Sequence, residues 1–234
     1  KSNPYLPATA RCAMLGLVAT LSSATAADWT GDTSQNWNDA LNWSGDVAPT
    51  GNYNINTATA GIYPILSAAS SFTPVDLFIG DGAGQSGRLD QSTGTLALAN
   101  TSTNGNWMFV GTNSGTGTYN LTGDGNLAVG KLWVGGFVYG ENGTGTATIN
   151  TTGTVTANST DDFSGWGQYQ TSVSIGWGAT GNGTLNLENG TLNSPNKAIY
   201  VGSWGGTGTL NQSGGTINAN GLILGRWFNT NATA

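Results

Sequence analysis

The chain contains no histidine and a single cysteine, Cys12, and only 8% of its 234 residues are charged. Each shortage excludes chemistry. Without histidine there is no imidazole general base, no serine–histidine triad and no imidazole metal ligand. A lone cysteine forms no intrachain disulfide and cannot build a thiolate metal site. Six basic residues stand against twelve acidic ones, a formal charge of −6, and no Lys/Arg run occurs. A basic surface for nucleic acid or anionic lipid is therefore not expected. No long apolar run is present either, since a membrane-spanning helix needs about 20 apolar residues. Phosphate-loop patterns ending in Lys are missing. Gly-x-Gly steps carry no specificity in a chain with 38 Gly. Asp does not recur in register with any repeat, so calcium-binding Gly-Asp repeats are not expected. No cofactor or metal is implied.

What the chain does contain is Gly, Thr, Asn, Ser and Ala, together with nine Trp, seven Tyr and six Phe. That aromatic content, with apolar residues at regular places, points to order rather than disorder. Residues 1–27 read as an export signal. Lys1 and Arg11 form a positive start, Met14, Leu15, Leu17 and Val18 an apolar core, and Ala24-Thr25-Ala26 a small-x-small cleavage site. An N-terminal helix or first strand is the alternative. With the signal removed, the protein would hold no cysteine at all.

From residue 73 to 234 the sequence repeats. Short alternating runs end in Gly at Gly80, Gly111, Gly135, Gly176, Gly202 and Gly225, with spacings of 31, 24, 41, 26 and 23 residues. This is the signature of a stacked repeat architecture. Between these anchors lie two more alternating runs, such as Gly183-Thr184-Leu185-Asn186-Leu187 and Gly190-Thr191-Leu192-Asn193. Strict alternation means strands. Three short strands cannot bury a core alone, but stacked coils can pair strand on strand, about 4.8 Å apart. The expected fold is all-β: a right-handed three-sided parallel β-helix, a β-solenoid of about six coils. Leu185, Leu187, Leu192, Ile199 and Val201 should face inward, with Leu210, Ile217, Ala219, Leu222 and Leu224 stacked above. Thr184, Asn186 and Asn211 should face outward.

Residues 28–72 differ, with Trp29, Trp37 and Asn42-Trp43 followed by Pro49, Pro64 and Leu66. An end coil exposes unpaired edges and core, so a Trp-rich cap is expected there; sugar stacking on exposed Trp faces is the alternative. The opening at Trp29, Gly31, Ser34, Trp37, Asn42 and Trp43, followed by units such as Val201 to Asn218, resembles large bacterial surface proteins with autotransporter-associated β-strand repeats. The resemblance implies a parallel β-helix exposed outside the cell, used in adhesion, matrix building or display. It hands over no catalytic residues. No translocating barrel or sorting segment appears, so the natural protein is expected to continue beyond Ala234.

Two places could carry function. The third strand of each repeat puts Phe78, Phe109, Trp133, Ser174, Tyr200 and Ile223 at its outward position, and Phe137, Trp177, Trp204 and Trp227 follow the Gly. Alternation places both sets on one side, as an exposed ladder of rings fit to contact a partner; rings folding back over the corners would weaken this. The second place is the insertion in the 41-residue repeat, with Asp161, Asp162, Phe163, Trp166 and Tyr169, a loop able to hold a sugar or simply a surface insertion. The remaining acids are scattered, so no enzyme is expected. The sequence thus predicts a secreted, extracellular or cell-surface structural solenoid. It would act in adhesion, matrix or filament formation by self-association or contact with other surface proteins. A carbohydrate-binding or polysaccharide-processing module is the alternative. A Thr-ladder ice-binding face is disfavoured, because Gly and Asn dominate those positions and the coils differ in length.

Overall fold

A computed structural model describes residues 26–57, 62–99, 106–137, 142–160, 171–226 and 230–234. The export signal lies outside these residues except for Ala26 and Ala27, and Ala27 is already part of a paired strand. Among the described residues eighteen strands follow in chain order, β1 to β18. One sheet of eight runs β1 (Ala27–Asp28), β2 (Tyr53–Ile55), β4 (Leu77–Asp81), β7 (Trp107–Thr112), β10 (Lys131–Val134), β12 (Thr171–Trp177), β14 (Ala198–Ser203) and β17 (Leu222–Arg226). The second sheet holds β3 (Ile65–Leu66), β5 (Ser86–Gln91), β8 (Thr116–Gly123), β11 (Thr144–Ala157), β13 (Asn182–Ser194), β15 (Thr207–Gln212) and β18 (Asn231–Thr233). Three short strands join it, β6 (Thr95–Ala97), β9 (Asn126–Val129) and β16 (Thr216–Ala219). All named strand pairs are parallel, so each coil lies in register on the next in a β-solenoid of about six coils. Among the described residues no helix is long and apolar enough to cross a membrane.

The interior is built from rows of like positions. Tyr53, Leu77, Met108, Leu132, Val173 and Ile199 stack in one row; Ile55, Ile79, Val110, Val134, Ile175 and Val201 form the next. On the second sheet Leu89, Tyr119, Ala147, Leu185 and Leu210 stack, all buried. Period-two alternation dictates this arrangement, because residues two apart share a face and parallel register repeats that face in every coil. Size varies along a row: Tyr119 lies beside Ala147, and its hydroxyl donates to Gln91 Oε1 at 2.8 Å. Gln91 is itself buried and donates to the Gly94 and Asn126 carbonyls, so the polar pair is satisfied within the core.

The expected inward set holds for Leu185, Leu187, Leu192, Ile199, Val201 and Leu210, all buried. Leu222 and Leu224 take the inward register opposite Ile199 and Val201, yet are 48% and 50% exposed. Nothing among the described residues stacks on β17, and an inward residue is buried only by a coil on each side. Ile217 and Ala219 are half-buried for the same reason. Thr184 and Asn186 are half-buried and Asn211 is exposed, with Asn211 Nδ2 donating to Asn186 Oδ1 at 2.9 Å.

The six anchor glycines stand at equivalent corners, all with positive φ. The positions just before them pair from β4 through β17, Ile79 to Val110 to Val134 to Ile175 to Val201 to Leu224. Unequal coil lengths do not disturb this, nor the outward Thr positions: Thr118, Thr146, Thr184 and Thr209 pair in unbroken succession. The irregular coil length that weighs against a flat Thr face in the sequence therefore does not break that face.

At the N-terminal end, Trp29, Trp37 and Trp43 are buried and meet edge to face, with Trp43 5.2 Å from Trp29 and 5.0 Å from Trp37. Trp43 also lies 5.0 Å from Tyr53, the first residue of the core row. Their indole N–H groups donate to Ile62 O, Ser70 Oγ and Trp37 O respectively. Aromatic rings with satisfied polar edges suit such a plug, and their faces are not open to a sugar.

Candidate functional site

The outward rings of the first sheet do form a ladder. Phe78 stacks on Phe109 with centroids 4.7 Å apart, Phe109 pairs in register with Trp133, and Trp133 meets Trp177 at 5.0 Å. The ladder is not exposed, which corrects the expectation for Phe109, Trp133, Trp177 and Tyr200: all four are buried, and Trp107 joins them in a second hydrophobic cluster. The cause is the chain after each corner. Phe137 turns back over the sheet to lie 4.8 Å from Phe109, 5.5 Å from Trp107 and 5.2 Å from Trp133. Trp204 adopts a positive φ before Gly205 and packs 6.4 Å from Trp177. Arg226 covers the Tyr200 ring at 4.7 Å and donates to its hydroxyl. Phe137 and Trp204 remain half-buried. Trp227, Asp161, Asp162, Phe163, Trp166 and Tyr169 lie outside the described residues.

Rings in this position are structural mass. Replacing Trp133 by Ser should therefore cost about 3–5 kcal/mol, the range for removing a large buried aromatic. The fall in the urea midpoint at constant slope measures it. A loss under about 1 kcal/mol, the scale of an exposed-site change, would show the ring to be free of the layer.

Sequence reading missed two features of this layer. Trp107 opens β7, one position before the alternating run that marks the strand. Lys131 is fully buried beside it, its ammonium 4.8 Å from the Trp107 ring centre, a cation–π geometry.

A different surface is open. On the outer face of the second sheet a groove of about 440 Å³ is lined by Ile65, Arg88, Asp90, Asn120, Thr148, Asn150 and Glu188, among others. It crosses β3, β5, β8, β11 and β13, just before the bends at Gly94, Gly123, Gly153 and Gly190. Arg88 grips Asp90 through two bonds, 2.9 Å from Nε and 2.7 Å from Nη2, and lies 4.3 Å from the Tyr63 ring centre. Asn120 Nδ2 donates to Asp90 Oδ1 at 2.8 Å. At the other end Asn150 Nδ2 donates to Glu188 Oε2 at 2.8 Å. Glu188 reaches that place through a β-bulge: Ile149 pairs with Leu187 but Asn150 pairs with Asn189, leaving Glu188 unopposed and re-aimed. Coil register sets Asp90, Asn120 and Thr148 in one outward row, and the bulge adds Glu188.

Carboxylates elsewhere do structural work. Asp76 accepts the Trp107 backbone N–H at 2.9 Å, and Asp81 accepts Asn113 Nδ2 at 2.7 Å. Burial pushes both acids above the ordinary carboxylate value, and these hydrogen bonds pull part of the way back. Among the described residues no three His, Cys, Asp or Glu side chains gather as a metal site. The strands that carry Asp90 and Glu188, β5 and β13, are three steps apart, about 14 Å at the usual spacing.

Fold and surface define a class: a parallel β-solenoid with a second, aromatic layer outside one sheet and a polar groove outside the other. Comparison with protein-family models, with curated proteins and with solved structures finds no match to this chain.

Proposed function

We propose that this protein is a structural component of the bacterial cell surface, exported and acting by non-covalent association in adhesion, matrix or filament formation. The observation that carries the reading is the pair of hydrophobic clusters, one inside the coils and one outside the first sheet, each continuous from coil to coil. Such a rod is stiffened along its whole length, and its stability is a sum over neighbouring coils. The resemblance in the Trp29–Trp43 opening and in Val201 to Asn218 supports the location. With the rings buried, association falls to the open face of the second sheet, where Thr118, Thr146, Thr184 and Thr209 stand in register.

Sedimentation over a range of concentrations tests this. The wild-type chain should self-associate, and the Thr146→Lys/Thr209→Lys variant should stay monomeric with unchanged far-UV circular dichroism, because the two lysines stand two strands apart rather than directly opposite each other, while their like charge repels a second copy bearing the same column. A wild type that remains monomeric throughout, or one that turns over a polysaccharide, would sink the proposal.

A further inference from the structure

We infer that the groove over β5, β8, β11 and β13 is a binding site for a linear, uncharged, hydroxyl-rich polymer, a neutral glycan lying along the solenoid axis. This goes beyond the structural role and does not depend on self-association.

Shape comes first. The groove runs across five strands from Ile65 to Glu188, four steps of roughly 4.8 Å, or about 19 Å in all. Two columns of equivalent positions line it, Asp90, Asn120 and Thr148 in one and Thr122 and Asn150 in the other, with Glu188 at the bulge, so its polar groups recur at the coil spacing. A chain molecule with repeating groups matches that pattern; a compact ligand does not.

The polar groups are also held ready. Asn120 and Asn150 each commit one N–H to a carboxylate, at Asp90 and Glu188. An amide so held keeps a second N–H and its carbonyl oxygen for a ligand, in a fixed orientation. Thr148 lies between them, accepting from Asn186 Nδ2 at 3.4 Å while its hydroxyl hydrogen remains available. Side chains already locked by neighbours lose little rotamer freedom on binding. Sugar hydroxyls both donate and accept, and are satisfied by such a mixed row. Ile65 contributes an apolar patch for the C–H faces of a ring.

Charge then narrows the class. Among the described residues the one cation lining the groove is Arg88, and Asp90 neutralises it through a bidentate pair. Glu188 stands at the far end, and the chain as a whole carries −6. Polyanions, whether uronate polymers or nucleic acids, meet repulsion here. A metal ion would need several convergent oxygens, and among the described residues no three acidic side chains gather here. The bulge at Glu188 fits this reading, since bulges re-aim side chains beside sites.

Calorimetric titration of the full chain with cellohexaose, mannohexaose and maltohexaose tests the inference, with hexagalacturonate as the charged control. At least one neutral hexasaccharide should bind saturably, and hexagalacturonate about tenfold more weakly or worse. The Asn120→Ala/Asn150→Ala variant should lose at least about tenfold in affinity, and Thr148→Trp, which fills the groove, should abolish binding. All variants should keep the wild-type thermal midpoint. Failure of every neutral probe overturns the inference, as do equal binding of hexagalacturonate and affinity undiminished in both variants. The Thr→Lys variant separates the two proposals: lost self-association with intact hexasaccharide binding leaves the groove standing alone, and the reverse leaves only the structural role.

Discussion

Leu187→Asp is expected to leave the chain unfolded. Leu187 is completely buried in β13, in register with Ile149 on one side and Gln212 on the other, and its own strand neighbours in the core are Leu185 and Leu192. The substitution removes a buried Leu side chain, worth about 1.5–3 kcal/mol of burial. It also places there a carboxyl group with no partner, which costs several kcal/mol whether it stays charged or takes up a proton. The sum approaches the whole 5–15 kcal/mol that holds a typical domain. In a solenoid the damage spreads, because each coil is stabilised mainly by the two beside it. The outward neighbour supplies the control: Asn186→Asp, at a half-buried outward position, should cost about 0.5 kcal/mol or less, as surface changes do. Far-UV circular dichroism and limited proteolysis read both variants. A protease-resistant, β-rich Leu187→Asp protein would mean that the inward row has been placed on the wrong face.

The second large effect is expected at a corner. Gly111 has φ +72, and a methyl group there would lie 1.9 Å from the Thr144 carbonyl oxygen of the next coil. The obstacle is backbone, and it is held: Thr144 N–H donates to Gly115 O at 2.9 Å, and Gly136 N–H donates to Gly111 O at 2.8 Å. Gly111→Ala therefore suffers both the left-handed backbone cost, about 1–2 kcal/mol, and an overpacking cost of roughly 1–3 kcal/mol or more. Gly84 isolates the first cost. Its φ is +76, but nothing lies within 4 Å of a methyl built there, so Gly84→Ala should lose only the backbone part, about 1–2 kcal/mol. Urea unfolding of the two variants measures the difference. Equal losses would show that the corners do not pack coil against coil.

Alternation and corner glycine made much of the fold legible in advance. Val173, Ile175, Ile199 and Val201 could be assigned inward from their own strands, since a pleated strand settles which side chains share a face. The candidate site was less legible. Only the coil register sets Asp90, Asn120 and Thr148 in one outward row, and in the sequence each acid stood alone. Joining Asp90 to Glu188 required the coil register and a one-residue bulge, and a bulge leaves no mark in a Gly- and Asn-rich run such as Asn186 to Gly190.

The amino-acid sequence by itself determined the elements, the inward rows and the positions of the turns, because each rests on local sterics and on a period of two. Only the tertiary structure decided which outward surface stays open. Trp133 and Thr146 are both outward by alternation, and the sequence treats them alike. Trp133 is buried because Phe137 and Trp177, brought back by corners in two different coils, close over it, whereas Thr146 keeps an open side. Burial outside a sheet depends on what the rest of the chain lays across it, and that is a property of packing between coils rather than of any one strand.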